Sequence, residues 1–64
     1  MAISKITAKR ILKEAGGSRV SDSAAEELAS VLNKYAYSIA NKAVRLAAHA
    51  KRKTVDKSDV ELAK

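Results

Sequence analysis

Between Asp22 and Ala50 the sequence contains neither glycine nor proline, so nothing in that run stops a helix. Within it Leu28, Val31, Leu32, Tyr35, Ile39, Ala43 and Leu46 recur at the spacing that gathers them on one helical face. A helix over 22–49 is about 42 Å long at the α-helical rise. The flanking sequence supplies two shorter helices, expected over about 4–15 and 56–63, with lengths of about 17 and 12 Å. These cannot cover both ends and the middle of an apolar stripe of about 42 Å. The centre of the long helix therefore needs other cover, and the simplest is the same helix of a second copy. The expectation is an all-α, intertwined homodimer whose long helices cross near residues 35–39, with Tyr35 in the core and Tyr37 partly exposed.

Size leads to the same conclusion. A chain of 64 residues forms one small domain, 1–64, and a domain this small is marginal without disulfides, a metal or a partner chain. Cysteine is absent and His49 is the only histidine. That removes disulfides and leaves no ligand set for a structural metal, so no metal and no cofactor are expected. Oligomerisation remains. The residues 1–10 hold no long apolar run, which argues against a signal peptide or a membrane span. The lack of cysteine fits an intracellular protein, expected to be cytoplasmic. No nucleophile–base pair, carboxylate dyad or phosphate-cradling glycine loop is present, so the chain is not expected to be an enzyme. The formal net charge of +6 points to a polyanionic partner.

Charge placement sharpens that reading. Ser4 is the expected cap of the first helix, whose stripe is Ala8, Ile11, Leu12 and Ala15, with Lys9, Arg10 and Lys13 on its other faces. Gly16 and Gly17 end it. Ser21 is the expected cap of the long helix, with Ser23 and Glu26 as an alternative capping box. Asp56 caps the third helix, with Asp59 in its first turn. The joints 16–21 and 50–55 echo each other. "SRVSD" (18–22) and "RKTVD" (52–56) both set a base, a valine and a hydroxyl before an acid-capped helix. Their β-branched residues suit short extended strands. In an antiparallel dimer such strands pair between chains and bring Arg19, Ser21, Lys53 and Thr54 onto one ridge. With no Phe or Trp, there is little surface for stacking single-stranded bases, which favours a duplex.

The sequence resembles the archaeal histones along nearly its whole length. "RILKEAG" (10–16), "RVSDSA" (19–24), "KAVRLAAHAKRKTV" (42–55) and "SDVELA" (58–63) carry the match. The resemblance implies a histone fold, short helix–long helix–short helix, paired as a handshake dimer that binds and wraps duplex DNA and is associated with the chromosome. By matching position it places Arg19 in the minor groove with Thr54 beside it. It also places Lys53 and the joint amides on phosphates, with Arg10 and Lys13 nearer the middle of the dimer face. Ser21 is first a helix cap and second a DNA contact. Arg52 is assigned to structure, as the partner of Asp59, while Lys51, Lys57 and Lys64 read as general surface charge.

The resemblance also implies that Leu46, His49, Asp59 and Leu62 join dimers through a four-helix contact with a His–Asp pair. Histidine ordinarily titrates near about 6.5, so assembly on DNA is expected to respond to pH near neutrality. Pairing with a paralogue is compatible with the same fold. The chain departs from the family pattern at Lys51, where glycine is usual, and it stops at Lys64, so the third helix is expected to be short and long filaments less favoured than dimers on DNA. The rival reading is a histone-fold interaction subunit that pairs with a different chain in a transcription-factor complex. Basic residues in both joints favour the packaging reading.

Overall fold

Ser4 begins the first helix as its sequence suggests: its hydroxyl accepts the Thr7 amide at 3.1 Å, and α1 runs Lys5–Glu14. In the computed structural model, which describes residues 3–64, two further helices follow, α2 over Asp22–His49 and α3 over Lys57–Ala63. The first two positions of the expected domain lie outside the described residues. Each helix lies within one residue at either end of the span expected for it, because the capping residues themselves flank the helices. Ser21 caps α2 by accepting the Ala24 amide at 3.1 Å. The alternative box does not form; Glu26 instead lies 4.0 Å from Lys5. At α3 the cap is reciprocal. The Asp56 carboxylate accepts the amides of Ser58 and Asp59, and the Asp59 carboxylate accepts that of Asp56.

The two longer helices end in one and the same way. After α1 the Gly16 amide donates to the Lys13 carbonyl at 3.0 Å and the Gly17 amide to Leu12 at 3.1 Å. After α2 the Lys51 amide donates to Ala48 and the Arg52 amide to Ala47, both at 2.9 Å. This double closure needs a left-handed residue at its pivot. Gly16 has φ 115° and Lys51 has φ 60°. A side chain in that region costs roughly 1–2 kcal/mol. Beyond these closures the joints are bends and turns, and no strand occurs among the described residues. The strand pairing read from the sequence is between chains, so a single chain leaves these segments unpaired.

The chain divides into two compact units, Met1–Lys34 and Tyr35–Lys64. In the first, α1 meets the start of α2 through Ala8, Ala25 and Ala29, with Val20 and Leu28 packed against them. Asn33 ties down the segment before α1, accepting the Ile3 amide at 2.7 Å and donating to the Ile3 carbonyl at 3.2 Å. In the second, Ala43, Ala47 and Ala63 are buried where α3 packs on the end of α2. Every buried apolar residue among those described is an alanine, which lets the helices approach closely.

Several larger apolar groups face outward. Tyr35 is 62% exposed and Leu62 75%, and Ile6, Val31, Tyr37 and Val44 are also exposed. Tyr35, expected in the core of the dimer, is thus exposed in the single chain. Alanines form the fully buried contacts between its own helices, and of the α2 stripe Leu28, Leu32 and Ile39 are half-buried while Val31 and Tyr35 are exposed. Burying a residue of this size stabilises by about 1.5–3 kcal/mol, so these exposed groups mark a surface that a partner would cover.

Candidate nucleic-acid interface

The cations of α1 divide into two groups. Lys5 lies 3.9 Å from Asp22 and 4.0 Å from Glu26, and Lys9 lies 3.9 Å from Asp22. These exposed pairs contribute little stability, but they draw two cations toward the start of α2. Arg10 and Lys13 are exposed and have no acidic partner among the described residues. In the first joint Arg19 is exposed and likewise unpaired. Ser21 is exposed, with its oxygen engaged by the Ala24 amide and 3.3 Å from the Ser23 hydroxyl.

The second joint is built around Arg52. Its Nη2 donates to Asp59 Oδ1 at 2.7 Å and its Nη1 to Asp59 Oδ2 at 2.9 Å, a two-pronged pair. Nη1 also reaches the Thr54 carbonyl at 3.2 Å and Asp56 Oδ2 at 3.3 Å. One guanidinium thus holds the joint backbone, the cap of α3 and its first turn. Asp59 is only 2% exposed, and it also accepts the Asp56 amide at 3.0 Å. The Arg52 hydrogen bonds first, and the Asp56 amide second, lower its pKa from 3.8 to about 2. Hydrogen bonding to Asp59 raises that of Arg52. With Arg52 engaged by these acids, Lys51, Lys53 and Thr54 are exposed and carry no such pairing among the described residues. The amides of Gly16, Gly17, Lys51 and Arg52 are consumed by helix closure, so among the joint amides only those farther along remain for an anion.

Residues 3–63 match the family described as "Histone-like transcription factor (CBF/NF-Y) and archaeal histone". The chain is 54% identical over 54 residues to the probable archaeal histone 3 of Methanocaldococcus jannaschii, a match covering 84% of this chain and 81% of that one. It is 48% identical over the same length to one of the subunits of the archaeal histone HAN1 of Thermococcus zilligii, with the same coverage. The chain belongs to the archaeal histone family.

Within this histone fold, Leu46, His49 and Leu62 lie together. With Lys42, Arg45 and Ala63 they line a shallow recess of about 400 Å³ where α3 meets the end of α2. Asp59 is not part of its lining; it is buried and bonded to Arg52. Any histidine from another chain that reached Asp59 would have to share it with Arg52. Sequence reasoning missed three features: the second acid on Arg52, the closure that fixes Lys51, and the cations bordering the recess. The first was visible as the i, i+4 spacing of Arg52 and Asp56, read only as a cap. Among the described residues, no helix is long and apolar enough to cross a membrane.

Proposed function

We infer that this chain binds duplex DNA without reading its sequence and compacts it as histone-fold dimers. The observation that carries this is the division of charge in the joints. Arg52 is locked to Asp59 and Asp56, whereas Arg19, Lys53 and the α1 pair Arg10 and Lys13 are exposed and have no acidic partner among the described residues. Charge held in short joints between helices keeps fixed positions, and DNA phosphates have regular ones. Arg19 enters the minor groove where it turns toward the protein, with Thr54 beside it. Lys53, Arg10 and Lys13 contact phosphates. None of these contacts reads base edges, so affinity depends on salt and on how easily the duplex bends.

The dimer follows from the uncovered α2 stripe, and a second copy supplies the missing cover. Dimers then meet through the recess of Leu46, His49 and Leu62, together with Asp59, to build larger assemblies on the chromosome. The rival reading, an interaction subunit for a different chain, gives no account of the exposed cations in both joints. The test is binding of mixed-sequence duplexes across a salt series, with Arg19→Ala and Lys53→Ala beside the unaltered chain. Each variant is expected to weaken binding on every sequence alike. The slope of log affinity on log salt should flatten by about 0.9 for each lost phosphate contact. Affinity insensitive to salt and to both variants would move the function to the protein-partner reading.

A further inference from the structure

We propose that Lys51 is a further phosphate-binding residue of this interface, held in place by a backbone conformation that glycine would adopt more easily. The proposal rests on the duplex-binding reading above. Its starting point is the comparison the chain offers within itself. The closures after α1 and α2 use the same two hydrogen bonds, at 3.0 and 3.1 Å in the first and 2.9 Å twice in the second. At the first pivot stands Gly16 with φ 115°; at the second stands Lys51 with φ 60°, the only side-chain-bearing residue among those described with positive φ. Closing the helix does not require a lysine, as Gly16 shows. A strained residue of this kind persists where its side chain has a use.

The use follows from its neighbours. Arg52, next in sequence, donates to Asp59, Asp56 and the Thr54 carbonyl. The joint's most versatile phosphate-binding group is therefore already engaged within the fold, although it is exposed. Lys51 and Lys53 flank it, both exposed, and neither lies within ion-pair distance of an acid among the described residues. Lys51 thus doubles the lysine charge left free on this joint. The rigid closure fixes where its stem departs from the backbone, although the long side chain keeps its own freedom. A lysine ammonium is a point charge that suits a single phosphodiester oxygen and carries no sequence information. A cation here also suits the negative end of the α2 dipole. That benefit acts on folding alone, so the two roles separate by experiment.

The variants are Lys51→Gly, which relaxes the backbone, Lys51→Asn, which tolerates the left-handed region without charge, and Lys51→Arg. Association with a mixed-sequence duplex is measured over a salt series, and each variant is melted without DNA. The proposal expects Lys51→Gly and Lys51→Asn to flatten the salt slope by about 0.9 per chain, or about 1.8 per dimer. It expects Lys51→Arg to keep the slope, and Lys51→Gly to melt higher than the unaltered chain while binding more weakly. Salt-dependent binding by the unaltered chain, with the same slope in Lys51→Gly and Lys51→Asn, overturns the proposal and leaves the duplex reading intact. Absence of salt-dependent binding by the unaltered chain overturns both.

Discussion

Arg52 determines what the second joint can offer a ligand, because its guanidinium is held by Asp59, Asp56 and the Thr54 carbonyl. The same contacts set a pH limit on the fold. The Asp59 pKa lies below its ordinary value, at about 2 rather than 3.8. Its contribution to stability is therefore fully present above the ordinary value and is lost as pH falls through the window between the two. Helicity followed by circular dichroism should hold down to about pH 4 on this account and then fall in that window. Asp59→Asn should be less stable than the unaltered chain at neutral pH and show a shallower acid transition. Arg52→Lys should not restore the Arg52→Ala loss, since an ammonium cannot bridge both oxygens of Asp59 and the joint backbone at once. Lys51→Gly should raise stability by about 1 kcal/mol by relieving the left-handed side chain, offset in part by the greater freedom of glycine in the unfolded chain. The Arg52–Asp59 pairing was legible only through a family resemblance. Two residues seven apart across a joint meet by a turn that spacing alone does not reveal.

At the scale of the helices, local chemistry was enough to read the fold. Ser4, Ser21 and Asp56 each announce a helix start, and each caps the helix that follows it. Gly16 announces a stop and takes the left-handed pivot. The end of α2 at His49 was read as well, but not its left-handed closure, because Lys51 stands there in place of a glycine. Ser4→Ala should lower stability by about 1 kcal/mol, seen as a melting point lower by roughly 4–8 °C for a domain of this size. Ser4→Asp should recover most of that loss, since an aspartate caps as well as a serine. Neither change should alter the salt slope of DNA binding, as Ser4 is not among the joint residues.

For the whole molecule, the decisive feature is which residues are left uncovered. Alanines fill the contacts within the chain, while Tyr35, Val31, Val44 and Leu62 are exposed. That α2 is too long for α1 and α3 to cover could be read from the sequence before any side chain was placed. Which face Tyr35 would present could not, because periodicity places a residue on a stripe without saying which chain covers it. Folding coupled to pairing makes the melting temperature rise with protein concentration. Tyr35→Lys, which sets a charge at the expected crossing, should abolish the dimer and most of the helicity with it. Leu62→Asp should leave the dimer folded and its salt-dependent DNA binding in place, since Leu62 is 75% exposed, but should prevent dimers from joining at the recess.

Nuclease digestion of long duplex DNA saturated with the purified chain tests the central claim most directly. Wrapping by histone-fold dimers that join through the recess predicts protected fragments whose lengths rise by one constant step. Leu62→Asp is predicted to reduce that ladder to its shortest rung. Complete digestion at moderate salt, with no protected fragment of any length, would contradict DNA packaging as the function of this chain.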